Sequence, residues 1–123
     1  MPSVRNILAI DDEPLLLRSL ALILQRAGYR VTIAASAREA RQHLQADRYD
    51  LAFLDLKMPE VDGLTLLNEI HASQPGMPVL ILTAHAGPDL AMEAMLKGAH
   101  GYLVKPISPE AILARVRTVL AEE

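Results

Sequence analysis

Five side chains in this sequence are of types that, brought together, could do chemistry: Asp11, Asp12, Asp55, Thr83 and Lys105. Each sits at the carboxyl end of a short apolar run. Three carboxylates in one place repel each other, and at least one would keep its proton unless a cation lay among them. Hard oxygen ligands without His or Cys suit Mg²⁺, with Mn²⁺ as an alternative; Mg²⁺ takes one or two carboxylates, keeps several waters and shares phosphate oxygens. A Lys ammonium and a Thr hydroxyl both donate to phosphate oxygens. A metal, an ammonium, a hydroxyl and a carboxylate nucleophile together make a site for phosphoryl transfer onto an aspartate.

Taken singly, every one of these residues has an ordinary structural explanation. Asp11-Asp12-Glu13 ahead of Pro14 reads equally well as acidic capping of a helix N-terminus. Asp55 alone is a turn residue, Thr83 a cap and Lys105 a solvated charge. It is the joint pattern, four separate strand ends each carrying a needed type, that favours a shared site.

The elements that must position them alternate. The apolar runs Val4–Ile10, Arg30–Ala34, Leu51–Leu54, Val79–Leu82 and Gly101–Val104 are rich in Val, Ile and Leu with little period-two alternation, as expected for strands buried on both faces. Between them lie helical segments. The first covers Pro14 to Ala27 and stops at Gly28. The second opens on the capping box Ser36-Ala-Arg-Glu39. The third starts at Gly63 or Leu64 and ends before Pro75; the fourth spans Pro88 to Lys97 and stops at Gly98. The fifth opens at Ser108-Pro109-Glu110. This βα unit repeated five times predicts an α/β domain over residues 1–123, with a doubly wound five-stranded parallel sheet covered on both faces. With the last helix expected to run almost to Glu123, no second domain is expected within these 123 residues. Ligands of such sheets bind outside the carboxyl ends of the strands, where strand order reverses. An order of 2-1-3-4-5 makes strands one, three, four and five contiguous and gathers all five residues at one crevice.

Composition narrows the function classes. Hydrophobic residues make up 51% and charged residues 22%, enough to close a core at this length. There is no cysteine, so disulfides, thiolate metal sites and a cysteine nucleophile are excluded. With a net charge of -3 and no basic patch, the domain alone is not expected to bind nucleic acid. No run is long enough to span a membrane and no signal peptide stands at Met1–Arg5, so the expected location is the cytoplasm.

The sequence resembles the receiver domain of two-component response regulators along its whole length. The resemblance rests on Asp11-Asp12-Glu13, on Leu54-Asp55-Leu56-Lys57-Met58-Pro59 with Asp62-Gly63 behind it, on Thr83-Ala84 and on Lys105-Pro106. It implies a flavodoxin-like three-layer sandwich, with Asp55 as phospho-acceptor. Asp11, Asp12, Asp55 and the backbone carbonyl of Lys57 would hold Mg²⁺, and Thr83 and Lys105 would hold phosphoryl oxygens, helped by backbone N–H groups near Lys57 and Ala84. Tyr102 would be an aromatic switch coupled to Thr83. A trans bond is the commoner form before proline, so a cis Lys105–Pro106 peptide is expected from the resemblance alone. The donor it implies is a phosphohistidine of a sensor histidine kinase or phosphotransfer protein. The domain would then be a switch rather than a metabolic enzyme, catalysing only its own phosphorylation and dephosphorylation and controlling an output domain or effector.

Lys57 and His85 would border the crevice and influence phosphate lifetime. Leu15 or Leu16 would meet the kinase, although core packing is the expected role of at least two residues of Leu15-Leu16-Leu17. The fourth helix, with Ala91, Met92, Ala94 and Met95, would join the fifth strand and fifth helix in meeting an output domain or forming a homodimer. Gly98-Ala99-His100-Gly101-Tyr102 lacks the acidic residues that support one such dimer. His43, His71 and His100 make no metal-ligand spacing. A haloacid-dehalogenase-like phosphatase would need an acid where Lys57 stands, and a flavodoxin-like FMN module would need a Ser/Thr/Gly-rich loop where Asp11-Asp12-Glu13-Pro14 stands. A degenerate receiver used only for docking would lack some of the five side chains.

Overall fold

A computed structural model of the chain describes residues 4–84 and 88–121. The elements in order are β1 (Asn6–Ile10), α1 (Pro14–Arg26), β2 (Arg30–Ala34), α2 (Ala37–Ala46), β3 (Leu51–Leu54), β4 (Lys57–Met58), β5 (Val61–Asp62), α3 (Gly63–Ser73), β6 (Val79–Thr83), α4 (Pro88–Leu96), β7 (Gly101–Val104) and α5 (Pro109–Ala121). Strands β2-β1-β3-β6-β7 form one parallel sheet in that order. Leaving aside the small β4–β5 pair, this is the 2-1-3-4-5 order.

Residue alternation builds three layers. Leu8, Ile10, Ala52, Leu54, Val79 and Ile81 face one side of the sheet, where Ala40 and Leu44 of α2, Leu66, Leu67 and Ile70 of α3, and Ala94 of α4 cover them. Ile7, Ala9, Leu51, Phe53, Leu80 and Leu82 face the other, against Leu17, Leu20 and Leu24 of α1 and Ile112, Val116, Val119 and Leu120 of α5. Each large apolar side chain so buried contributes about 1.5–3 kcal/mol.

The helix ends follow local chemistry. Gly28 at φ +98° closes α1, its N–H donating to the Gln25 carbonyl. Ser36 caps α2 by accepting the Glu39 N–H at 3.1 Å, and the Glu39 carboxylate accepts the N–H of Ala35 rather than that of Ser36. Ser108 caps α5 by accepting from the Ala111 N–H.

One expectation needs correction. The outer strands β2 and β7 are not buried on both faces: Ile33, Tyr102 and Val104 are exposed. An edge strand has a neighbour on one side only, so helices cover it incompletely. The segment after Asp55 forms a small antiparallel hairpin of two-residue strands, Lys57 opposite Asp62 and Met58 opposite Val61, which was not foreseen from the sequence. Strands that short carry no readable periodicity.

Candidate functional site

Register brings the strand ends level. Ile10 pairs with Leu54, and Leu54 with Ile81. The ladder continues one residue further: the Asp11 N–H donates to the Ala34 carbonyl at 3.1 Å, and the Asp55 N–H to the Ile10 carbonyl at 3.0 Å. Asp11 and Asp55 therefore project from adjacent strands at one height, both buried, with Asp12 half-buried beside them. One carboxylate oxygen from each of the three lies within 4.8 Å of the others.

Lys105 reaches this cluster from the far edge. Its Nζ lies 2.7 Å from Asp11 Oδ2, 2.9 Å from Glu13 Oε1 and 3.5 Å from Asp55 Oδ2. The Lys105–Pro106 peptide is cis. The other oxygens of the two buried acids accept backbone donors: Asp11 Oδ1 takes the Glu13 N–H and Asp55 Oδ1 the Lys57 N–H, each at 3.0 Å. Thr83 ends β6 fully buried, and its hydroxyl has no hydrogen-bond partner among the described residues.

The electrostatics follow from these contacts. Burial pushes the Asp11 carboxyl above its ordinary value, against the opposing pull of its bonds from Lys105 and the Glu13 N–H; the Asp55 charge adds to the rise. Burial pulls the Lys105 ammonium down, but its bonds to Asp11 and Glu13 and the charges of Asp11 and Asp55 outweigh that, and its pKa is raised. One ammonium thus serves three acids. An all-oxygen set of three close carboxylates with a single cation fits a hard divalent metal, and the unpartnered Thr83 hydroxyl fits an added oxygen acceptor.

Four of the five strand-end residues named from the sequence, Asp11, Asp12, Asp55 and Lys105, meet at this crevice, and Thr83 stands at the end of the adjoining strand β6. Lys57 starts β4 with its side chain exposed. Tyr102 is 44% exposed on β7. His85 lies outside the described residues. In α1, Leu17 is core, Leu16 packs against the core and Leu15 is exposed. In α4 the alanines Ala91 and Ala94 are core, whereas Met92 and Met95 are exposed.

The structure gives roles to residues that sequence reasoning named only as parts of motifs. Glu13 precedes α1 but makes no side-chain capping bond; its carboxylate goes to Lys105 instead. Its place in the acidic run was visible, its partner 92 residues away was not. Gly63 opens α3 so close to the Asp55 loop that a Cβ there would lie 2.4 Å from Leu56 Cα. Asp62 is the α3 cap, accepting from the Leu64 N–H and the Thr65 hydroxyl.

Comparisons with known proteins agree with this geometry. The family model described as response regulator receiver domain matches residues 7–117. The alginate biosynthesis transcriptional regulatory protein AlgB of Pseudomonas aeruginosa is 44% identical over 107 residues, which are 87% of this chain and 24% of that protein. The transcriptional regulatory protein GlrR of Escherichia coli is 39% identical over 117 residues, 95% of this chain and 26% of that protein. The chain thus spans about a quarter of the length of these curated relatives. Among solved structures, a CheY-like response regulator receiver domain protein from Methanospirillum hungatei superposes with a TM-score of 0.94 at 33% identity, covering 98% of this chain and 96% of that one.

Proposed function

The chain belongs to the response regulator receiver family, and on that premise we propose that it is a phospho-accepting switch whose acceptor is Asp55. The observation that supports this reading is the buried Asp55 carboxylate, set among Asp11, Asp12 and the Lys105 ammonium, with the unpartnered Thr83 hydroxyl at the end of the neighbouring strand.

An oxygen of Asp55 attacks the phosphorus of a phosphohistidine on a sensor kinase or phosphotransfer protein. The P–N bond breaks, the imidazole nitrogen keeps the electron pair, and an acyl phosphate forms. Asp11, Asp12, Asp55 and the Lys57 backbone carbonyl would hold Mg²⁺, or Mn²⁺ in its place, which supplies charge neutralisation for the transferring group. Lys105 donates to one phosphoryl oxygen and Thr83 to another, drawing the ends of β6 and β7 toward Asp55. Water later attacks the phosphorus, the P–O bond to Asp55 breaks, and the free carboxylate and inorganic phosphate return. Lys57 and His85 border the water's approach.

Output requires that a partner bind the two states unequally. Movement of Thr83 lets the Tyr102 ring turn inward, which changes the exposed face formed by Met92 and Met95 of α4 with Tyr102 and Val104 of β7. An output domain, an effector or a second copy of the chain meets that face, and Leu15 meets the phosphodonor. By likeness to its relatives, the output is transcriptional and the setting cytoplasmic. Among the described residues no helix is long and apolar enough to cross a membrane.

Incubation with acetyl phosphate and Mg²⁺, read by intact mass, tests this. The native chain gains one phosphoryl group, and neither Asp55→Asn nor the native chain with chelator gains it. A native chain that stays unmodified overturns the reading.

A further inference from the structure

The Lys105 ammonium has more claimants than the phosphoryl chemistry needs. It hydrogen-bonds Asp11 at 2.7 Å and Glu13 at 2.9 Å, yet stands 3.5 Å from Asp55, beyond the normal N–H···O range. The two shorter contacts both come from the β1–α1 loop. Asp11 is fixed in place by its backbone bond to Ala34 and by the Glu13 N–H. Glu13 is different: its side chain is 58% exposed, makes no capping bond and has Lys105 as its recorded partner. It contributes little to the core and stands where it can only draw Lys105 toward α1.

We infer that Glu13 is a positioning residue that restrains Lys105 on the α1 side of the crevice and competes with the phosphoryl group on Asp55 for it. The inference rests on the phospho-acceptor reading and adds to it a residue that sets the balance between the two states. A phosphorylated Asp55 presents a doubly charged group with oxygens that require Lys105. Every such contact is made against the Glu13 bond. Removing the Glu13 carboxylate frees the ammonium and shifts the balance toward the phosphorylated state, by the twofold to fivefold, roughly, that an exposed ion pair allows.

Beryllofluoride, a phosphoryl mimic that needs no turnover, is the probe. Its binding in saturating Mg²⁺ is titrated for the native chain, Glu13→Gln, Glu13→Ala and Glu60→Gln, with Mg²⁺ affinity measured separately for each. Glu60 is an exposed acid lining the same surface hollow as Asp12, and it is not among the acids that contact Lys105, so its variant reports the effect of charge alone. The expected result is tighter beryllofluoride binding by both Glu13 variants, more so for Ala because a Gln oxygen still accepts from Lys105, and native behaviour for Glu60→Gln. The ¹⁵Nζ resonance of Lys105 in the ligand-free chain should shift in the Glu13 variants only. Unchanged or weaker binding by the Glu13 variants, or an equal gain in Glu60→Gln, overturns the inference. If the native chain itself takes no beryllofluoride, the phospho-acceptor reading falls and this inference with it; if the native chain takes it and the Glu13 variants match it, this inference alone falls.

Discussion

The backbone N–H of Lys105 donates to the carbonyl of Thr83 at 2.8 Å. That bond extends the β6–β7 ladder one residue past its last pair, Thr83 with Val104, and ties the two residues proposed to hold phosphoryl oxygens to one backbone joint. A pull on either would move the carboxyl end of β7, the strand that carries Tyr102. The two side chains differ in their present state. Lys105 is saturated with carboxylates, whereas the buried Thr83 hydroxyl has no partner among the described residues.

Thr83→Val keeps the shape and removes that hydroxyl. Replacing an unpartnered buried polar group by an apolar one is near neutral or stabilising, so the variant should unfold in urea within about 0.5 kcal/mol of native, or later. It should still gain the phosphoryl group, but the Tyr102 ring, followed by NMR, should stay outside when beryllofluoride is added. A variant whose ring moves as in the native chain would contradict the coupling.

Asp11 makes stability depend on pH in an unusual direction. Its carboxyl holds a proton more tightly in the folded chain than its ordinary value of 3.8 implies, with burial the main cause. The folded state therefore binds more protons than the unfolded state between 3.8 and the raised value, and stability falls as pH rises through that interval. Below it both states are protonated and the penalty is absent. With chelator at neutral pH, Asp11→Asn should be more stable than native in urea, and the gap should close as pH falls below 4. An Asn variant less stable than native at neutral pH in chelator would contradict this.

Gly63 matters for space rather than for backbone freedom. A Cβ there would meet Leu56 Cα at 2.4 Å and Leu56 O at 2.5 Å, both backbone atoms next to Asp55. Gly63→Ala should cost about 2–3 kcal/mol and slow acetyl phosphate labelling, because α3 must push the Asp55–Lys57 segment aside. Native stability by urea titration would show that the contact yields freely.

How much was legible in the sequence depends on where a residue's partner lies. Asp11, Asp12, Asp55, Thr83 and Lys105 were readable because a buried strand that ends in a charge or hydroxyl is conspicuous, and the parallel register then levels the ends. The capping role of Ser36 was readable because its partner Glu39 is three residues away. Glu13 was visible only as one acid in a run, because its partner is Lys105 at the other end of the chain. Gln74 carried no signal at all, since a neutral amide after a helix looks like any loop residue. The exposure of Ile33 and Val104 on the outer strands was missed because an apolar run reads the same whether one face or both are covered.

Gln74 in fact anchors the opposite end of the strands, where α2 leads into β3. Buried itself, it accepts the Tyr49 N–H at 2.9 Å and donates to the carbonyls of Leu44 and Asp47 at 3.2 and 2.7 Å. Gln74→Leu strands those backbone groups and should cost about 3 kcal/mol in urea unfolding. The folded variant should still accept phosphate normally, being remote from Asp55. A loss of labelling with stability intact would contradict this division between the two ends of the strands.

The account stands on which atom receives the phosphorus. An acyl phosphate is reduced by borohydride to the alcohol, so treating the acetyl phosphate-labelled chain and mapping its peptides identifies the carboxyl that carried the group. Conversion of the side chain at position 55 to homoserine, with Asp11 and Asp12 intact, is the predicted result. Reduction at Asp11 or Asp12, or none in a chain that is folded and supplied with Mg²⁺, would contradict it.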